Sequence, residues 1–230
     1  NNLFVTVNST NFIMNFTFKD KKFFFSLVSL IIICGLYLRI GYYDDGLWSD
    51  EWISYYISTI NLGIFDKYNY HLQYEGASPI NLFLNSFLLE FFGNSYQNLE
   101  IFYILSGVLL LILSLLLYEE KEKKVFYLIL LSLNPFLIYY SGEIRFYSFS
   151  VLFCVLSFIT FIKVNNTNNN KAIIIFFLIT LISLLFNVHT ISLILSYCVF
   201  NYFKKNNLKI YILLFLIIFI FLIFNIQYFL

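Results

Sequence analysis

Seven apolar runs, each near the length needed to cross a bilayer, dominate this sequence of 230 residues. A membrane-spanning helix needs about 20 mostly apolar residues, within a range of about 17 to 25. Charged residues make up 12% of the chain, about half the share in soluble domains. The sequence therefore predicts an all-α polytopic membrane protein with about seven transmembrane helices, over residues 23–40, 99–118, 125–140, 146–162, 172–188, 190–203 and 210–230.

Composition also excludes several other classes of protein. Hydrophobic residues form 60% of the chain, which argues against a soluble globular domain, a disordered chain and a coiled coil. The formal net charge is +1, so we expect no nucleic-acid partner. The chain begins at Asn1 without a methionine and stops at Leu230 within an apolar run, and we expect it to be a piece of a longer protein.

One apolar stretch, residues 79–92, is too short to span a bilayer and has two different faces. Ser78 and Pro79 suit a helix start, with a hydroxyl at the cap and a proline in the first turn. Helical spacing puts Ile80, Phe83, Leu84, Phe87, Leu88 and Phe91 on one face, and Asn81, Asn85 and Glu90 on another. This pattern predicts an amphipathic helix in the membrane interface.

The distribution of positive charge decides the orientation, because short cytoplasmic loops are enriched in lysine and arginine. If 79–92 does not span, the outer side carries Arg39, Lys67 and Arg145, and the cytoplasmic side carries the other eleven of the 14 cations: Lys19, Lys21, Lys22, Lys121, Lys123, Lys124, Lys163, Lys171, Lys204, Lys205 and Lys209. We therefore expect a cytoplasmic segment at 1–22, a membrane module at 23–230, and an outer loop with interfacial helices at 41–98.

Three outward positions from distant segments are candidates for chemistry. Asp50 and Glu51 open a predicted helix in the outer loop, where a carboxylate at the membrane surface can act as a general base. Arg145 lies between two predicted spans, and its planar donor fork suits a phosphate. The third position is His189, in a short outer turn. Arg39, at the outer end of the first span, could assist Arg145.

Each of these residues also has a structural interpretation. Acids in a first helical turn favour the helix dipole, so Asp50 and Glu51 need no catalytic role. Arg145 can pair with Glu143 or another carboxylate, since an uncompensated charge near a membrane is costly. His189 can be a packing residue.

A metal site is not supported by the sequence. Carboxylate and imidazole ligands are available in the outer loop, but their spacing matches no specific metal pattern. The available side chains are Asp44, Asp45, Asp50, Glu51, His71 and Glu75. We therefore expect no cofactor.

The order of these features resembles a known family. An Asp50-Glu51 pair opens an outer-loop helix, a Ser78-Pro79 helix ends at Gly93, a span ends at Asn134-Pro135, and Glu143-x-Arg145-x-Tyr147 follows. This arrangement, over residues 23–200, resembles the amino-terminal membrane module of GT-C glycosyltransferases. It is most similar to the group of protein O-mannosyltransferases and aminoarabinose transferases.

The resemblance implies an enzyme of cell-envelope glycosylation: a hexosyl- or pentosyltransferase that uses a polyprenyl-phosphate sugar on the extracytoplasmic side. Asp50 maps to the family's catalytic base and Glu51 to its acidic neighbour, while His71, Tyr74 and Glu75 map to a polar region of the active site. The acceptor would be a glycan, lipid or protein. Arg145, with Arg39 or His189, would stabilise the lipid phosphate as it leaves.

Two other functional classes remain open at this point. A transporter or channel subunit is disfavoured, because such proteins place charged sites near the middle of the membrane and these runs lack charges there. A non-catalytic membrane scaffold is the other alternative. A transferase assay on an Asp50 variant distinguishes the enzyme from both.

Overall fold

A computed structural model describes residues 21–41, 43, 46–74, 79–167, 169–203 and 208–224. These residues contain α-helices and no strands, which confirms the predicted all-α class. The helices are α1 (Lys21–Ile40), α2 (Ser49–Thr59), α3 (Ile64–Tyr74), α4 (Pro79–Phe92), α5 (Tyr96–Ser114), α6 (Lys121–Leu133), α7 (Pro135–Gly142), α8 (Tyr147–Thr167), α9 (Asn170–Phe186), α10 (Thr190–Phe203) and α11 (Leu208–Phe224).

Within the described residues, three helices are long and apolar enough to cross a membrane: α1, α5 and α8. The pair α6 and α7 makes a fourth candidate if the two helices form one bent span. The apolar parts of α9, α10 and α11 are shorter, at 10–17 residues. The structure therefore fits a membrane protein with three or four candidate spans. The other predicted spans correspond to helices that are shorter than the length expected for crossing a membrane.

The predicted span 125–140 is broken into two helices. Asn134 takes an extended backbone between α6 and α7 and its side chain accepts a 3.1 Å hydrogen bond from the Leu137 N–H. Pro135 occupies the first position of α7, where its missing N–H is tolerated. Because proline cannot continue the preceding helix, α6 and α7 meet at an angle of 56°.

Helices α1 and α6 run side by side in the same direction. The Lys121 ammonium lies 5.6 Å from the centre of the Phe24 ring, near the amino-terminal ends of both helices. At the other ends, Arg39 of α1 donates to the carbonyl of Leu131 in α6 at 3.3 Å. This pairing places residues 21–24 and 121–124, both lysine-bearing, at the same end of the bundle.

Helices α2 and α4 bury several polar residues and expose several aromatic ones. In α2, Ser54 and Ser58 are buried while Trp52 and Tyr56 are exposed. In α4, Asn81 and Asn85 are buried and their side-chain oxygens lie 2.6 and 2.8 Å from the Tyr103 hydroxyl of α5, whereas Phe83, Phe87 and Phe91 are exposed. A soluble helix does the reverse, so these faces suit a lipid environment.

Candidate active site

The structure brings Asp50 and Arg145 together. An Arg145 Nη1 atom lies 3.0 Å from Asp50 Oδ2, joining the first turn of α2 to the segment between α7 and α8. The Asp50 side chain is 49% exposed and the Arg145 side chain is 15% exposed. The Asp50 carboxylate is therefore accessible to a ligand, while the Arg145 guanidinium beside it is mostly buried.

Glu51 fixes the position of this pair. Its Oε1 accepts a 2.7 Å hydrogen bond from the Ile144 N–H, and its Oε2 accepts one of 3.3 Å from the Trp48 N–H. The side chain is 5% exposed, and this burial raises the pKa of the carboxyl, although the two N–H groups and the Arg145 charge oppose the rise. Glu51 thus binds the start of α2 to the residue next to Arg145.

Glu143 adds a third carboxyl to the same cluster. It is buried, and burial raises the pKa of its carboxyl. The negative charges of Glu51 and Asp50 add to this rise, while the Tyr139 hydroxyl and Arg145 offset part of it. Arg145 forms its ion pair with Asp50, so of the two structural alternatives for Arg145 the pairing with another carboxylate is observed and the pairing with Glu143 is not.

Tyr147 completes the surroundings of Arg145. The guanidinium carbon lies 5.4 Å from the centre of the Tyr147 ring, a cation–π geometry. Arg145 Nε is shielded from solvent and has no hydrogen-bond acceptor among the described residues. The guanidinium is therefore held by Asp50 and Tyr147 and retains unused donor capacity.

Arg39 does not reach the surface where we expected it to assist a phosphate. It is completely buried, and its Nη1 donates to the Gly35 carbonyl at 2.9 Å. Its Nη2 donates to the carbonyl of Leu131, four residues before Pro135. Since proline lacks the N–H that would normally bond this carbonyl, Arg39 supplies the missing donor at the break between α6 and α7.

The two histidines lie in different settings. His71 is completely buried in α3. His189 is exposed in the turn between α9 and α10, where its N–H donates to Asn187 Oδ1 at 3.0 Å and its carbonyl accepts from Ser192. These contacts of His189 are local, and Asp44, Asp45 and Glu75 lie outside the described residues.

A cavity of about 190 Å³ lies behind Tyr147, and the sequence interpretation missed it. Its polar lining combines two tyrosines, three serines and an amide: Tyr140, Tyr147, Ser141, Ser148, Ser150 and Asn187. The signal that points to it is the pair Ser148 and Ser150 in an apolar run, since polar residues in spans usually face the protein interior.

In the described part of the chain, no three His, Cys, Asp or Glu side chains are arranged to hold a metal ion. Comparison of the chain with protein families, curated proteins and solved structures finds no match. The candidate site is therefore defined by its own arrangement of residues: Asp50, Glu51, Glu143, Arg145 and Tyr147.

Proposed function

We propose that this chain is a membrane glycosyltransferase that moves a sugar from a polyprenyl-phosphate donor to an acceptor on the extracytoplasmic side. The Asp50–Arg145 ion pair is the observation that carries the proposal. It joins a half-exposed carboxylate to a cation across 95 positions of sequence. Hydroxyl deprotonation needs a base and phosphate departure needs a cation, and this pair supplies one of each.

Asp50 acts as the general base. It takes the proton of the acceptor hydroxyl as that oxygen forms a bond to the anomeric carbon of the donor sugar. The carboxylate oxygens of Asp50 accept this proton. Because half of the Asp50 side chain is exposed, an acceptor can reach it from outside.

Arg145 binds the phosphate that leaves. The bond between the anomeric carbon and the phosphate oxygen breaks as the acceptor attacks, and the electron pair stays on the phosphate. An arginine offers two parallel N–H donors for such an anion. The Arg145 side chain is 15% exposed, so part of the guanidinium is accessible to this anion.

Seven spans and an outward active face belong to this proposal. The 17-residue helices α9 and α11 are about 25 Å long at about 1.5 Å per residue, which is close to the hydrocarbon thickness of about 30 Å. The same topology leaves most lysines on the cytoplasmic side. A reporter fused after Glu122 should be cytoplasmic; an external reporter contradicts the assigned face.

Substitution Asp50→Asn tests the catalytic assignment. It keeps the size of the side chain and removes the base, so transfer from a polyprenyl-phosphate sugar should fall at least about 100-fold. The matched control is Asp66→Asn, at an exposed position in the first turn of α3, which should leave transfer unchanged. Full activity in the Asp50 variant overturns the assignment.

The non-catalytic scaffold makes a different prediction for the same variant. If the ion pair serves only to hold α2 in place, Asp50→Asn changes stability by about 0–1 kcal/mol, as expected for a partly exposed pair. In that case the unmodified chain, like the Asp50→Asn variant, would neither bind the polyprenyl-phosphate sugar nor transfer it. Measuring unfolding and transfer on the same preparations separates the two roles.

A further inference from the structure

The cavity behind Tyr147 has the chemistry of a carbohydrate site. The Tyr140 and Tyr147 rings lie 4.6 Å apart, centre to centre, at 46°. Ser141, Ser150 and Asn187 add a few polar groups to a mostly apolar lining, and none of the described lining residues is charged. The Ser141 hydroxyl donates to the Ile138 carbonyl and Asn187 Oδ1 accepts from the His189 N–H, so the Ser150 hydroxyl and the Asn187 NH₂ group are the donors left for a ligand. Aromatic faces pack against the C–H groups of a sugar, while hydroxyls and amides can both donate and accept hydrogen bonds.

The size of the cavity limits the ligand to a single ring. Its volume is about 190 Å³, the space of about six water molecules at about 30 Å³ each. Sites for drug-sized ligands are about 300–1,000 Å³. A single sugar ring therefore suits the cavity better than a disaccharide does.

The cavity and the reacting groups share one residue. Tyr147 lines the cavity and also lies under Arg145, whose guanidinium carbon is 5.4 Å from the ring centre. Arg145 in turn contacts Asp50 at 3.0 Å. A sugar inside would thus have its phosphate at Arg145 and its anomeric carbon on the side of Asp50.

A buried cation lies behind the part of the wall formed by Gly107. A Cβ added to Gly107 would lie 3.0 Å from Arg39 Nε and 2.7 Å from the Ser141 Cβ. Gly107 and Ser141 both line the cavity, so the Arg39 guanidinium is packed directly against its wall. Like charges repel strongly in a low-dielectric interior, and an ammonium group in this cavity would be disfavoured.

We propose that this cavity binds the single sugar ring of the donor, and that it selects sugars without an ammonium group over amino sugars. The inference rests on the proposed function, because it assigns the sugar subsite of the same active site. It adds a substrate class: monosaccharides with hydroxyl groups, held by Tyr140, Ser150 and Asn187 beside Tyr147.

Calorimetric binding to the full chain in detergent tests the inference without any transfer step. The probes are glucose, galactose and mannose 1-phosphates, each compared with its 2-amino analogue, which differs by one ammonium group. At least one hydroxyl sugar phosphate should bind tenfold more tightly than its amino analogue. Equal or tighter binding of the amino sugars, or no binding of any probe, overturns the inference.

Two variants locate the binding in the cavity. Val151 lines it, and Val151→Phe should fill part of the space and weaken binding at least tenfold. Val199→Phe, at a position exposed on α10, is the matched control and should leave the affinity unchanged. Ser150→Ala removes a lining hydroxyl without added volume and should weaken binding about threefold, even if the larger variant folds poorly.

The outcomes separate this inference from the proposed transfer reaction. Suppose that the chain transfers no sugar but binds the probes, and that Val151→Phe abolishes this binding. The sugar subsite is then supported and the transferase proposal is overturned. If sugar transfer and probe binding are both unchanged in Val151→Phe and in Ser150→Ala, the transferase proposal stands and the subsite is overturned.

Discussion

Glu51 Oε1 accepts a 2.7 Å hydrogen bond from the Ile144 N–H, across 93 positions of sequence. The bond fixes helix α2 to the segment that follows α7. It also sets Asp50 beside Arg145, because each residue is the immediate neighbour of a bonded one. The geometry of the candidate active site therefore depends on a carboxylate that itself is buried.

Removing the Glu51 carboxylate should loosen this attachment. Glu51→Ala leaves the N–H groups of Ile144 and Trp48 without their acceptor, and an unsatisfied buried group costs about 1–3 kcal/mol. Glu51→Gln retains one acceptor oxygen and should lose less. Unfolding in detergent measures both, with Glu119→Ala at an exposed position as the control. Equal stability of all three variants contradicts the assignment.

Substitution of Arg145 should affect the donor more than the fold. Arg145→Lys keeps a positive charge but loses the planar fork, so we expect about a tenfold rise in KM for the polyprenyl-phosphate donor. Arg145→Ala loses both features and should lower kcat/KM further. Lys163→Ala, at an exposed position in α8, serves as the control. An unchanged KM in both Arg145 variants would rule out phosphate binding by this residue.

Arg39 should matter for stability, because its donors satisfy carbonyls at the break between α6 and α7. Arg39→Met keeps much of the side-chain volume and removes every donor, so we expect a loss of about 1–3 kcal/mol in unfolding free energy. Lys123→Met removes an exposed cation paired with Glu120 and should change it by at most about 1 kcal/mol. Similar losses in the two variants would contradict the role of Arg39.

Stability should depend on pH through Glu143. Its pKa is raised above the ordinary value of 4.5 by burial, so the folded state binds a proton that the unfolded state has already released. In this window the folded state loses stability as the pH rises. The free energy of unfolding should therefore fall from pH 4.5 upward, through the raised pKa.

Glu143→Gln removes that titration. The variant should be more stable than the parent at neutral pH and should show a flatter pH profile, since glutamine carries no charge to bury. Glu119→Gln, at an exposed position, is the control and should reproduce the parent profile. A profile that rises with pH and does not change in Glu143→Gln would refute the assignment.

Much of the helical framework can be predicted from the sequence, since it depends on local patterns. The start of α4 at Pro79 follows from proline chemistry and from the apolar spacing that comes after it. The break after Asn134 is encoded in the same way, although the predicted span ran through it. The prediction of one continuous span was wrong there, because it was made from length and hydropathy, and a single proline within an apolar run changes neither.

The arrangement of the site depended on contacts that no local pattern contains. The sequence alone marked Asp50 and Arg145 as unusual, since charges are rare beside apolar spans. It did not determine that these two residues pair with each other, or that Arg39 is turned inward to the carbonyl of Leu131.

Sequence by itself determined an all-helical chain with membrane-compatible helices and a small set of polar residues to explain. Helix formation and burial in lipid follow from residues a few positions apart, which a linear sequence displays directly. Tertiary structure alone decided which charges meet, that Asn81 and Asn85 of α4 lie against the Tyr103 hydroxyl, and that a cavity lies behind Tyr147. These features depend on how helices pack, and packing is set by shape and by hydrogen-bond partners distant in sequence.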